Sequence, residues 1–288
     1  MVGLSAAERV YIEDGIAQDL RLDGRGRQHF RSLSIQTGVI PQANGSARVR
    51  LAGTDVIASV KAELGSPQPG RPGCGNMFIS VECSPTAAPE FEGKGGEDTN
   101  LELAKALQRN FLGGASGAGA AIDLTTLIVI EGKVCWELYI DGLVLSSDGN
   151  ILDALSIAVK AALSNTGIPK VQVMGGLSLE EADFELSDNP EEFSHLDTAQ
   201  VPVTVTISKV GRYHIVDATA EEESQVSSAV SVAVNSKGLI CGLTKSGTAG
   251  LDPSILMDMI SVGKRVGLKT ISSVETDIAA AERTLEAE

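Results

Sequence analysis

The run Val-Pro-Val-Thr-Val-Thr-Ile-Ser, residues 201–208, decides the fold class. Val201, Val203, Val205 and Ile207 alternate with smaller or polar residues, the period-two pattern of a strand with one apolar face. More strand pattern follows through Val216 and from Val230 to Leu243. Asp252-Pro253 then starts a helix, with proline at the first helical position, where its missing N–H leaves no bond unmade. Reading back toward the N-terminus gives the same order again. Val134, Trp136, Leu138 and Ile140 mark a strand, and Leu152, Leu155, Val159, Ala162 and Leu163 form a helical stripe that Gly167 and Pro169 close. Residues 32–81 read mostly as strand, with Asn44-Gly45 as a hairpin signal and Met77, Ile79, Val81 and Cys83 on one face. Ser5-Ala6-Ala7-Glu8 and Thr99-Asn100-Leu101-Glu102 are capping boxes that open helices. The second of these helices carries Leu101, Ala104, Leu107, Gln108 and Phe111 along one face. Strands followed by a helix thus occur in both halves. Hairpin signals outnumber strand–helix–strand crossovers, which predicts an α+β fold with antiparallel or mixed sheets.

Between the halves, residues 180–197 carry eight carboxylates and no Lys or Arg, the pattern of an exposed connector. The predicted organisation is an N-terminal helix and arm over 1–30, a first half over 31–170, an acidic connector over 171–198, a second half over 199–266 and a lightly packed helical tail over 267–288.

The 288 residues are 43% apolar, enough for a sizeable core, but only 3% aromatic. A formal net charge of −15 lacks the basic face of a free-standing nucleic-acid binder. Contact with RNA would need a local basic patch or help from partners. Cys74, Cys83, Cys135 and Cys241 form no CxxC pair and have no histidine at zinc spacing, so free thiols in a reducing compartment are expected. No signal-peptide run or membrane-length apolar stretch is present, and the expectation is a soluble intracellular protein without membrane attachment.

Four local constellations carry possible chemistry. Gly113–Gly119 has neither a GxGxxG nor a GxxxxGK[ST] spacing and reads as a connector. Glu221-Glu222-Glu223 would suit a metal-dependent hydrolase only if the carboxylates converged. Neighbouring side chains diverge in strand and helix alike, which favours a solvated or interface patch. Residues 244–250, Thr-Lys-Ser-Gly-Thr-Ala-Gly, offer backbone N–H groups to an anion beside a helix start, or form a plain loop. Lys105 and Arg109, four apart on one helix face, would form a basic rim with Lys94, or a solvated face.

Several pieces in this order resemble the RNase PH family. They are Arg21-Leu22-Asp23-Gly24-Arg25, Gly45-Ser46-Ala47-Arg48-Val49, Gly53-Thr54-Asp55-Val56, Asp148-Gly149-Asn150-Ile151-Leu152-Asp153-Ala154, residues 216–223 and Lys245-Ser246-Gly247-Thr248. Pro89-Glu90-Phe91-Glu92-Gly93-Lys94-Gly95-Gly96 and the Glu221–Ser224 run are similar to a non-catalytic branch found in the eukaryotic RNA exosome ring.

The resemblance implies a fold of two similar sheet-plus-helix halves, of the ribosomal protein S5 domain 2-like type. It implies a six-membered ring of head-to-tail heterodimers, RNA-binding cap subunits, a separate hydrolytic exonuclease and single-stranded RNA as partners, and no cofactor. It also implies residence in nucleus, nucleolus and cytoplasm, and work in rRNA maturation and mRNA turnover.

Active relatives use phosphate to attack the last RNA linkage, which needs cations for phosphate and an acid for the leaving oxygen. Where they carry Gly-Gly, a small polar residue and Arg, this chain has Asp148, Gly149, Asn150 and Ile151. After Asp217, the positions of two further aspartates hold Thr219 and Ala229. The expectation is a dismantled phosphorolytic site with no catalytic or metal-binding residue, while Lys105 and Arg109 match two channel-facing arginines of archaeal relatives. The alternatives are an active phosphate-dependent 3'-5' exoribonuclease and the metal-dependent hydrolase.

Overall fold

The computed structural model describes residues 4–112, 121–174, 183–186 and 192–285. The first half opens with α1 (Ala6–Ala17), whose predicted capping box is present, with Ser5 and Glu8 serving each other's backbone. Strands β1 (Leu33–Thr37), β2 (Gly45–Leu51), β3 (Thr54–Gly65) and β4 (Asn76–Cys83) follow. Then come α2 (Lys94–Leu112), β5 (Ile128–Ile130), β6 (Val134–Ser146) and α3 (Ile151–Ser164). The strands form a mixed six-stranded sheet in the order β1-β2-β3-β6-β4, with β5 also on β6. Only β4 and β6 run parallel. Alternation points Val49, Leu51, Val56, Ala58, Leu138 and Ile140 into one core, each fully buried.

The second half carries β11 (Val203–Val210), β12 (Tyr213–Val216), the one-turn helix α4 (Ala220–Glu223), β13 (Ser228–Val234), β14 (Ile240–Ser246) and α5 (Pro253–Leu285). Its antiparallel sheet has the order β12-β11-β13-β14. Between the halves lie two short ribbons, β7 (Gly167–Pro169) with β10 (Phe193–His195) and β8 (Val171–Met174) with β9 (Asp183–Leu186).

Both faces of β11 are covered. Val205 and Ile207 pack with Val230, Val232 and Met259 against α5, forming the second core. The opposite face carries Thr204, Thr206 and Ser208, which the alternation pattern assigns to solvent. It packs instead on α3 of the first half. Ser156 Oγ accepts from Thr204 N at 2.9 Å, and Asp153 takes both polar atoms of Thr206. Helix α3 is therefore buried from Asp153 to Leu163 between the two sheets, as its apolar composition on all sides requires.

Several expectations change. Helix α2 starts at Lys94, so Thr99 is not its cap but an internal residue whose hydroxyl donates back to the Gly95 carbonyl. Asn44-Gly45 makes no tight turn, since β1 and β2 are joined by residues 38–44; the tight hairpin is Ala52-Gly53, between β2 and β3. Gly167 does not cap α3, which ends at Ser164 with Asn165 as its cap, and Gly167–Pro169 pair as a strand. The acidic connector is not bare loop, because β9 and β10 both fall in it. The C-terminal tail is one helix with the second half. Its Ile271, Val274 and Ile278 are buried in the first core. The N-terminal arm crosses to the second half, where Ile12 and Ile16 meet Val210, Ile215 and Ala218. Gly113–Gly119 lies outside the described residues.

Candidate functional site

A cleft of about 570 Å³ opens where the halves meet. Helix α2 supplies Asp98, Leu101, Glu102, Lys105 and Arg109 to one wall. The N-terminus of α3 supplies Asn150, Ile151 and Leu152, and α4 supplies Glu223. Thr206, Ser231 and Thr244–Ser246 come from β11, β13 and β14. Three separate sequence signals therefore converge: the cationic pair on α2, the turn before α3 and the start of the 244–250 run.

Lys105 and Arg109 sit on the wall as the four-residue spacing predicts, and both are exposed. Neither makes an ion pair among the described residues, so their mutual repulsion is left for an incoming anion to relieve. Lys94 does not join them. It opens α2, and eleven residues of helix place it about 16 Å along the axis from Lys105. Thr244, Lys245 and Ser246 are strand residues of β14, not loop. The Lys245 ammonium donates to the Gly247 carbonyl at 2.7 Å.

Of the predicted phosphate-loop residues, Ile151 lines the cleft where the resemblance expects a guanidinium. Asn150 lines it too, while its side chain donates to Asp217 at 2.7 Å. Asp148 is outside the cleft lining, its carboxylate turned to Arg31, so it is not the charge that would meet an anion there. The repelling group is Glu223. Its carboxylate accepts the Asn150 backbone N–H at 2.7 Å, at the entry to α3. The protein's own anion thus occupies the positive end of the helix dipole that an oxyanion would use. Burial of the carboxyl end pushes the Glu223 pKa up, opposed by the Asn150 hydrogen bond and the Arg31 charge.

Behind the cleft lies a buried ionic cluster. Asp217, fully buried, accepts from Arg25 at 3.0 Å, from the Arg31 guanidinium at 2.8 and 3.0 Å and from the Arg31 backbone at 2.8 Å. Arg21 grips both Glu222 carboxylate oxygens through Nε and Nη2, one edge of its guanidinium, and donates to the Val216 and Asp217 carbonyls. Glu222 is therefore an ion-pair partner in the interior and no part of a solvated patch, while Glu221 is exposed and Glu223 turns to α3. The three carboxylates diverge. Thr219 caps α4, accepting from Glu222 N. Ala229 is buried on β13, with Ser208 and Ser246 as cross-strand partners. Asp217, Thr219 and Ala229 do not line the cleft.

Sequence reading missed Arg31, Asp153, Thr206, Glu223's role and Ser231. Asp153 is wholly buried, and burial raises its pKa to about 7 against the hydrogen bonds of Thr206. The Thr206 hydroxyl lies 2.7 Å from Asp153 Oδ1 and 2.9 Å from Ser231 Oγ.

Comparison with known proteins gives one consistent answer. The pattern described as "3' exoribonuclease family, domain 1" matches residues 29–169, and "domain 2" matches residues 200–266. A Dictyostelium discoideum protein named for the exosome complex exonuclease RRP42 is 37% identical, over 96% of this chain and 98% of its own. The exosome complex component Rrp42 of Methanopyrus kandleri is 34% identical over 85% of this chain and 87% of its own. Among solved structures, an Archaeoglobus fulgidus exosome with RNA bound to the active site has a chain 29% identical to this one. It superposes with a TM-score of 0.76 over 93% of this chain and 97% of that chain.

Proposed function

The chain belongs to the 3' exoribonuclease family of the RNase PH type, and from that premise we propose that it is a non-catalytic subunit of an RNA exosome core ring. Its work in this reading is to complete the ring with homologous subunits and to grip single-stranded RNA on its way to a hydrolytic exonuclease. The names of its relatives support exosome membership. The proposed setting is nucleus, nucleolus and cytoplasm, with cap subunits above the ring.

One observation carries the silence: Glu223 holds the α3 N-terminus where a phosphate would have to bind. Phosphorolysis needs inorganic phosphate held beside an already anionic linkage. Here the backbone donor is taken by a carboxylate, Ile151 supplies no charge, and Asp217 is locked between two arginines. Each missing charge-assisted contact removes about 1.5–3 kcal/mol of anion binding, before the repulsion from Glu223 is added. Lys105 and Arg109 remain unpaired on the opposite wall and suit a phosphodiester backbone read without sequence preference.

Incubation of the purified chain with RNA and inorganic phosphate tests this. No nucleoside diphosphate should appear. Release of nucleoside diphosphates that requires phosphate and scales with the amount of this chain would reject the reading.

A further inference from the structure

The cleft contains one hydroxyl whose hydrogen-bond polarity is fixed from inside the protein. Asp153 Oδ2 accepts the Thr206 backbone N–H at 2.7 Å, and Oδ1 lies 2.7 Å from the Thr206 hydroxyl. An ionised carboxylate only accepts, so the single Thr206 hydroxyl proton is committed to Oδ1. Thr206 Oγ1 can then only accept from Ser231 Oγ, 2.9 Å away. The Ser231 proton is thereby turned inward as well. Ser231, which lines the cleft, is left with lone pairs facing it. Such a group repels phosphate oxygens and accepts from a hydroxyl or an amine.

We propose that Ser231 is a specificity-determining residue that accepts a hydrogen bond from a ribose 2′-hydroxyl, so that this cleft tells RNA from DNA. The inference rests on the reading that RNA passes through the cleft. Lys105 and Arg109 share the cleft with Ser231 and attract phosphates. The donor carried next to every phosphate, whatever the base, is the sugar hydroxyl, the group by which proteins separate RNA from DNA.

The relay also reverses with a single proton. The Thr206 N–H always donates, so it holds Oδ2, and a proton added to Asp153 is favoured on Oδ1, where the Thr206 hydroxyl can accept it. It then donates to Thr206, Thr206 donates to Ser231, and Ser231 donates into the cleft. Burial places the Asp153 pKa at about 7, against the hydrogen bonds from Thr206 and Asn150 and with help from the Asp217 charge. The other charged groups around the relay are Glu223 from α4, Asp98, Glu102, Lys105 and Arg109 from α2, Lys245 from β14 and Arg31 behind Asp217. Their effect on phosphate affinity is common to RNA and DNA and cancels in the ratio of the two. Asp153→Asn mimics the protonated state at every pH. Its carboxamide oxygen must face the Thr206 N–H, so its NH₂ donates to Thr206 and the chain runs outward.

The test is crosslinking of this chain, within the complex purified from cells, by a thiouridine RNA and by the same oligonucleotide with 2′-deoxy or 2′-fluoro sugars. At about pH 8 the wild-type chain should favour RNA about three- to tenfold, the worth of one hydrogen bond. The preference should fall toward unity at about pH 6, as Asp153 takes up its proton and the donating Ser231 bonds phosphate oxygens, charged acceptors that both oligonucleotides carry, ahead of the neutral 2′-oxygen. Asp153→Asn and Ser231→Ala should each show a ratio near unity at both pH values. A wild-type ratio of unity at the higher pH overturns the proposal, as does a wild-type ratio retained in both variants. Lys105→Glu with Arg109→Glu separates this failure from that of the underlying reading. If the pair leaves crosslinking of RNA and of its deoxy form unchanged, RNA does not use the cleft and both fall. If the pair abolishes crosslinking while the wild-type ratio is unity, only the role of Ser231 falls.

Discussion

Asp217 is held in place as a structural residue by the groups around it. Its backbone is in the left-handed region, at φ 52°, which an aspartate enters more readily than most residues. That turn aims the carboxylate at Arg25, Arg31 and the Asn150 amide together. A fully buried carboxylate is tolerable because two guanidinium groups and several N–H donors surround it. Removing it leaves Arg31, itself 7% exposed, with only the part-exposed carboxylate of Asp148 as counter-charge. Asp217→Ala should therefore lower unfolding free energy by about 3–5 kcal/mol, read as a lower urea midpoint. A loss under about 1 kcal/mol would mean that the pair is no more than a surface bridge.

Among the elements, the turn before α3 is where the two halves are held together. Gly149 has φ 80°, and a Cβ there would lie 2.7 Å from Ala220 N and 2.8 Å from the Ala218 carbonyl. Backbone faces backbone, so nothing can yield by rotating a side chain. Gly149→Ala should destabilise the chain by about 1–3 kcal/mol or more and displace Asn150 from Glu223, seen as a shifted denaturation midpoint with disturbed amide protection along α4. The strand β11 and the start of α5 at Pro253 were legible in the sequence, because period-two alternation and N-terminal proline act locally. The Lys105–Arg109 wall was legible for the same reason. The burial of Thr204, Thr206 and Ser208 was not. Alternation tells which residues share a face, but not that the polar face meets another helix. Nor was the union of Arg31 with Asp217, separated by 186 positions, since no periodicity links them. The early start of α2 was hidden by Gly95 and Gly96, which propensity places outside helices.

At the scale of the whole molecule, the halves share their supports. Helix α3 is buried between both sheets, and α5 runs from the second core at Met259 to the first core at Ile278. The N-terminal arm sends Arg21 and Arg25 into the turns of the second half, and Arg31, just beyond the arm, joins them. Lys160 of α3, 2% exposed, reaches the Val201 carbonyl and approaches Glu275 of α5 at 3.6 Å. A chain built this way carries a net charge of −15 yet leaves Lys105 and Arg109 at the seam without an ion pair among the described residues, so an anion site there depends on the seam staying closed. The halves should unfold as one unit. Trp136, the sole tryptophan, lies in the first core and reports on that half by fluorescence. Ile207→Ala opens a cavity in the second core, where Ile207 is fully buried, at a cost of about 2–5 kcal/mol. If α3, α5 and the arm couple the halves, the Trp136 transition in urea shifts to lower denaturant by the full amount, coincident with the loss of helical circular dichroism. If the Trp136 midpoint stays at its wild-type value while circular dichroism falls in two steps, the halves are independent and the seam is only a contact between them.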